Sequence, residues 1–179
     1  IAYRILSTRL RGRQKLSKKF IEQENWIDLN YFADGDRKFD SRKLIACGRL
    51  EAQKNYMQLF NAACKMRSGL TLIGNGSELL ALKKYAEINQ IDVKFKGRIS
   101  YDGVANEFAK HDIFISTTLF EGNPKTIIEA LASGLICIVP DIESVRNIVL
   151  DGRNGFLHDN SITGIVEVIT RVRLLSNAE

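Results

Sequence analysis

From Lys43 onward, short and nearly unbroken apolar runs alternate with amphipathic segments, and this alternation restricts the fold more than any other feature of the chain. The runs are Leu44-Ile45-Ala46-Cys47, Leu70-Thr71-Leu72-Ile73, Val93-Lys94-Phe95-Lys96, Ile113-Phe114-Ile115-Ser116, Leu135-Ile136-Cys137-Ile138-Val139 and Gly155-Phe156-Leu157. Between and after them the spacing predicts helices over Asn55 to Met66, Glu78 to Asn89, Asp102 to Lys110, a segment within Asn123 to Gly134, Ser144 to Val149 and Ile162 to Leu175. Runs this short suit strands rather than helices, and runs without polar alternation suit strands covered on both faces. The order of elements therefore predicts an α/β fold: a doubly wound, Rossmann-like parallel sheet with helices on both faces.

The best-marked helix follows Phe120-Glu121-Gly122. Asn123 is suited to cap its start, Pro124 to its first position, and Gly134 to the left-handed turn that closes it. Ile127, Ile128 and Leu131 share one face and predict docking on the sheet, while Glu129 projects elsewhere. Glu121 and Glu129 thus flank a helix start whose backbone N–H groups, from Gly122 to Lys125, are expected to receive anions or sugar hydroxyls. Taken alone, the stretch also reads as an ordinary crossover helix with two solvated glutamates.

In open parallel sheets, ligands gather at the carboxyl ends of the strands. There the chain has Gly48-Arg49-Leu50-Glu51-Ala52-Gln53-Lys54, Gly74-Asn75-Gly76, Gly97-Arg98 and the Glu121 segment. Glycines let backbone approach a ligand closely, and Arg49 and Lys54 bring positive charge to the same edge. Together they predict an anion site, most simply one for a diphosphate. A Gly-x-Gly-x-x-Gly or Walker-type lysine loop is absent, which argues against a dinucleotide dehydrogenase or an ATPase.

At 179 residues, with 45% apolar content, the chain suffices for one domain with a real core. It has no apolar run of roughly 18 residues and no visible signal peptide, so it reads as a soluble, cytoplasmic chain. Cys47, Cys64 and Cys137 are odd in number and lie in apolar elements, consistent with a reducing compartment, and His111 and His158 share no metal-ligand spacing with them. No metal site is expected. Seven of the basic residues lie in residues 1–20, which hold no acid. They are expected to form a solvated face; without interleaved aromatics, nucleic acid is not an expected partner. Residues 1–25, including a helix around Lys18 to Glu22, read as outside the core, whereas Trp26 to Phe32 predicts a strand and Asp34-Gly35-Asp36 a polar turn.

These residues together resemble the nucleotide-sugar-binding, C-terminal half of glycosyltransferase family 4, retaining enzymes built from two facing Rossmann-like domains (the GT-B fold). The resemblance covers about residues 26–160. It is most specific from Phe120 to Gly134, with support from Gly48-Arg49-Leu50 and Lys54, Leu72 to Gly76, Phe95-Lys96-Gly97 and Asp151 to Leu157. It implies that Arg49 and Lys54, beside Gly48, hold the donor diphosphate and neutralise charge on the leaving group without metal. It implies that Glu121 contacts the transferred sugar, helped by the backbone of Gly122, Asn123, Pro124 and Lys125. By the same resemblance Glu129 accepts from the ribose hydroxyls, Gly97, Arg98 and Ile99 face the nucleobase, and Gly74, Asn75 and Gly76 leave room for phosphates.

The resemblance further implies a UDP- or GDP-sugar donor, no cofactor, a saccharide or lipid-linked acceptor and a role in bacterial surface polysaccharide synthesis. It makes residues 1–25 the remnant of, or linker from, an N-terminal acceptor-binding domain, and residues 26–179 the donor-binding domain. Without that partner domain, which would also carry any contact with the inner face of a membrane, the chain is expected to bind nucleotide but not to catalyse transfer. A non-catalytic nucleotide- or sugar-binding regulatory module is the alternative. Two places depart from the family pattern: Ser116-Thr117-Thr118, where relatives often carry Pro-Ser, and Asp141 to Asn147, where they carry a Gly-Gly turn and Pro-Glu.

Overall fold

Each apolar run becomes a strand, and all six share one parallel sheet. The computed structural model describes Ile27, Asp28, Phe32 and residues 43–176. Its strands are β1 (Leu44–Cys47), β2 (Leu70–Ile73), β3 (Val93–Gly97), β4 (Ile113–Ile115), β5 (Ile136–Pro140) and β6 (Phe156–His158). The helices are α1 (Tyr56–Lys65), α2 (Leu79–Ile88), α3 (Tyr101–Phe108), α4 (Lys125–Ala132), α5 (Glu143–Arg146) and α6 (Ile162–Ser176), and a 3-10 turn, Ala52–Lys54, precedes α1. The strand order is β3-β2-β1-β4-β5-β6, with Leu44 paired to Leu70 on one side and to Ile113 on the other.

The period of two along each strand divides the core into two layers. Leu44, Ala46, Leu70, Leu72, Ile113, Ile115 and Ile138 face α1, α2 and α6, packing with Phe60, Leu82 and Ile169. Ile45, Ile73, Phe114, Cys137 and Val139 face α3, α4 and α5, packing with Phe108, Ile127 and Val145. Both layers are needed because a parallel sheet's crossover helices cover both of its faces.

Several predicted ends move. α4 starts at Lys125, with Pro124 rather than Asn123 at the capping position and no cap from a Pro124 side chain. Pro124 instead offers its carbonyl to the N–H groups of Ile127 and Ile128. Gly134 closes the helix at φ +70, as its left-handed role predicts. α5 is shorter than the predicted Ser144 to Val149. Asn154 takes over beyond it, donating from Nδ2 to Ile148 O at 2.9 Å and accepting from Leu150 N at 2.7 Å. Cys64, expected in an apolar setting, lies on the exposed side of α1.

Of the predicted strand Trp26 to Phe32, only Ile27, Asp28 and Phe32 are described, and none is in a strand. Phe32 instead packs edge-on to Tyr101, with ring centroids 5.2 Å apart. The basic stretch, the helix expected around Lys18 to Glu22 and the Asp34-Gly35-Asp36 turn lie outside the described residues.

Glycines fix how the β1 and β2 loops meet. A Cβ on Gly76 would lie within 2.7 Å of the Leu50 amide nitrogen and carbonyl carbon, and one on Gly74 would run into the Gly48 carbonyl. The two loops are joined by Leu50 N–H to Asn75 O at 3.0 Å and Glu78 N–H to Leu50 O at 2.9 Å. Gly76→Ala is therefore expected to cost about 2 kcal/mol or more, as forced overpacking against backbone does. Gly122→Ala, where a Cβ meets nothing within 4 Å, is expected to leave stability within about 0.5 kcal/mol. Urea unfolding of the two variants beside the parent checks the contrast.

Candidate functional site

The strand order reverses direction between β1 and β4, the switch point at which open parallel sheets gather ligands, beyond the carboxyl ends of the strands. The β1 loop carries Gly48, Arg49 and Lys54, and the β4 loop carries Glu121. The two predicted charges meet: Lys54 Nζ donates to Glu121 Oε2 in an ion pair whose side chains are each only 16% exposed. Their surroundings include a cavity of about 10 Å³ lined by Cys47, Lys54, Tyr56, Ser116, Glu121 and Thr126. Arg49 lies on the same loop and is exposed.

Backbone geometry brings the pair together. Asn55 adopts φ +52 and ends the 3-10 turn that presents Lys54. Leu119 N–H donates to Gln53 O at 2.9 Å, and Gln53 Nε2 donates to Phe120 O at 2.6 Å. The Thr117 hydroxyl lies 2.9 Å from Lys54 O and 3.1 Å from Asn55 O, while the Thr118 hydroxyl donates to Phe120 O at 2.8 Å. Thr117 and Thr118 stand where the sequence departs from the family pattern, and they tie the two loops together. Nothing in the spacing of Ser116-Thr117-Thr118 signals that, because the partners lie more than sixty residues away.

Glu129 lies in the second turn of α4 and is 5% exposed. Burial holds its carboxyl above the usual range, against the opposing pull of the Lys125 charge and a hydrogen bond from Tyr101. It is close enough to Cys47 to help, with burial, push that thiol up to about 12. Tyr101, which the sequence did not single out, thus faces Glu129, and Lys125 Nζ sits 5.5 Å above its ring.

Other expectations change in detail. Of the N–H groups from Gly122 to Lys125, that of Asn123 reaches Glu121 Oε1 at 3.4 Å, that of Lys125 reaches Asn123 O at 2.9 Å, and Pro124 has none. Gly122 faces open space. Gly74 and Gly76, expected to make room for phosphates, are filled against by the β1 loop, and Gly74 N–H bonds Gly97 O at 2.9 Å. Gly97 has φ +67 with open space around it, Arg98 is exposed, and Ile99 packs against the α3–α4 layer. Asp141, just after β5, is held by the Arg146 guanidinium, whose Nη2 donates to Oδ2 at 2.8 Å. That pairing keeps the Asp141 carboxyl below its ordinary range. Among the described residues no helix is long and apolar enough to cross a membrane.

Comparison with known proteins agrees with this geometry. The family model described as "Glycosyl transferases group 1" matches residues 30–178. An Escherichia coli UDP-Gal:alpha-D-GlcNAc-diphosphoundecaprenol alpha-1,3-galactosyltransferase is 30% identical over 171 residues, spanning 83% of this chain and 43% of that protein. Among solved structures, the lipopolysaccharide outer core galactosyltransferase WaaB in its apo form superposes with a TM-score of 0.65 at 25% identity, over 75% of this chain and 40% of its own. Anabaena Alr3699/HepE in complex with UDP has the same fold, with a TM-score of 0.73 at 18% identity over 84% of this chain and 46% of its own. The chain spans less than half the length of these relatives.

The raised Glu129 carboxyl has a stability signature. The folded state binds this proton more tightly than the unfolded one, so ionised Glu129 penalises folding at neutral and alkaline pH. The penalty fades as pH falls below the unfolded carboxyl's value. Glu129→Gln is expected to melt higher than the parent at pH 8, with the difference vanishing near pH 4. Thermal melts of both proteins across that range check it.

Proposed function

The chain belongs to the glycosyl transferases group 1, and we propose that its described domain holds the nucleotide-diphosphate sugar donor, in a retaining transfer to a saccharide or lipid-linked acceptor. The observation that carries this reading is the meeting of Lys54 with Glu121 at the switch point of the sheet, with Glu129 buried behind them. A cation and a carboxylate placed side by side at the carboxyl ends of β1 and β4 suit a ligand with an anionic part and a hydroxyl-bearing part. A diphosphate would take Lys54, and a sugar hydroxyl would take Glu121.

The proposed roles follow from charge. Arg49 and Lys54 neutralise the diphosphate as the bond from the sugar's anomeric carbon to the β-phosphate oxygen breaks, which is electrostatic stabilisation of developing charge. Positive charge from these side chains makes a bound metal unnecessary in this proposal. The acceptor hydroxyl bonds to the anomeric carbon on the departing face, and its proton passes to the leaving phosphate, so configuration is retained. Glu121 and the Gly122 N–H orient the sugar. Glu129 accepts from the ribose hydroxyls, beside the hydrogen bond that it takes from Tyr101. The region around Gly97, Arg98 and Ile99 lies toward the base.

The E. coli relative's printed donor is UDP-Gal, and its printed acceptor is a diphosphoundecaprenol. By likeness, an acceptor of that lipid-linked kind and a role in bacterial surface glycan synthesis are proposed here. Because the chain spans less than half of that protein, the acceptor-binding part is proposed to be a further domain, and whole transfer activity to require it.

Calorimetric titration with UDP, GDP, ADP and their common sugar conjugates, with and without EDTA, tests the proposal. Saturable, chelator-insensitive binding of one diphosphate supports it; no binding by any of them at millimolar concentration overturns it. Glu129→Ala is expected to weaken the nucleoside mono- and diphosphates alike, by roughly tenfold for a lost bond to a charged group. Lys54→Ala is expected to weaken the diphosphate by a similar factor of about ten and the monophosphate far less. Glu121→Gln releases Lys54 from its carboxylate, so the sugar-free diphosphate is expected to bind about threefold tighter. Equal diphosphate affinity in Glu121→Gln and parent would show that the ion pair does not compete with the ligand.

A further inference from the structure

The end of β6 braces the loop that carries Glu121. His158 is buried, and both ring nitrogens are hydrogen-bonded. Its Nδ1 accepts from the Asn160 N–H at 3.0 Å, so the ring proton sits on Nε2, which donates to Ser116 O at 2.8 Å. Asn160 adopts φ +65, a conformation Asn tolerates better than most residues, and its Nδ2 donates to Thr118 O at 3.0 Å. The carbonyls on either side of Thr117 are therefore held from β6, while the Thr117 and Thr118 hydroxyls are held against the β1 loop and Phe120. The Glu121 segment is clamped between two elements.

A second observation concerns the same amide. Asn160 Oδ1 is buried with no hydrogen-bond partner among the described residues. A buried acceptor without a donor is costly, and such groups in folded proteins call for a reason. Turning the amide over gives no relief, because the oxygen would then face the Thr118 carbonyl. What the amide holds, rather than what it satisfies, accounts for its place.

We propose that Asn160, oriented by His158, is a positioning residue of the donor site. It fixes Ser116 to Phe120, whose Thr117 hydroxyl and Leu119 N–H in turn hold the Lys54 and Gln53 carbonyls, and by keeping Lys54 in place it sets the site's preference for a nucleoside diphosphate over a monophosphate. The second half of this inference rests on the donor-site reading; the bracing itself does not. Asn160 touches neither reacting group and acts through the loop.

Asn160→Gly tests it, since glycine keeps φ near +65 without strain; Asn160→Asp, which replaces the donor with an acceptor against Thr118 O, stands in if the glycine variant does not fold. Hydrogen exchange by mass spectrometry and calorimetry with UDP and UMP, or with GDP and GMP if the parent binds those, are compared across the full chain. Amides of residues 116–123 are expected to exchange about tenfold faster or more while β1 and β2 are unchanged. The ratio of diphosphate to monophosphate affinity is expected to fall at least about threefold, with monophosphate affinity preserved. An unchanged ratio overturns the inference, and if exchange is nevertheless faster, Asn160 is structural only. If the parent binds neither nucleotide, the donor-site reading fails by itself, and exchange alone decides the bracing: no acceleration overturns it.

Discussion

β1 sits at the middle of a parallel sheet, bonded on both edges and covered on both faces, and the rest of the structure depends on that position. Parallel neighbours cannot be joined by a tight turn, so each connection crosses over through a helix and every strand ends at the same edge. With β2 and β3 laid on one side of β1 and β4 to β6 on the other, the connections leave in opposite directions. The switch in strand order above β1 and β4 is where such sheets leave room for a crevice, and there Lys54 and Glu121 meet.

An open gap does not by itself make a site. Here the loops are fastened to one another: Leu119 N–H donates to the Gln53 carbonyl, the Gln53 side chain donates to the Phe120 carbonyl, Thr117 reaches the Lys54 and Asn55 carbonyls, and the β2 loop is pressed onto Leu50 where only glycine fits. Such fastening lowers the ordering cost of binding. It also holds charge in a place where solvation is poor. Lys54 and Glu121 offset each other's desolvation as a pair, whereas Glu129 bears its burial with only partial compensation from Lys125 and Tyr101.

How far the sequence was legible depends on the range of the interaction that decides each feature. The strands read correctly because four unbroken apolar residues such as Leu44 to Cys47 have few alternatives. Gly134 read correctly because a left-handed turn is a local requirement. Helix starts and ends read less well. α4 begins after Pro124 rather than at it, and α5 gives way to the side chain of Asn154, a substitute for helical bonds that no periodicity reveals. Gly74 and Gly76 are packed on by the neighbouring β1 loop, a contact that no local spacing reveals.

The sequence by itself determined the element order, the parallel class of the sheet, the presence of Arg49, Lys54 and Glu121 in the loops after β1 and β4, and Glu129 in the helix that follows, because these follow from period, turn chemistry and charge within a few residues. Only the tertiary structure decided that Lys54 pairs with Glu121, that Tyr101 faces Glu129, and that Thr117, Thr118, His158 and Asn160 hold the Glu121 loop from two sides. Those contacts join residues 42 to 67 positions apart, apart from the Tyr101–Glu129 pair, which spans a shorter stretch across two helices. Hydrogen bonds and ion pairs act over a few ångströms of space and carry no trace in local sequence until the sheet brings their partners together.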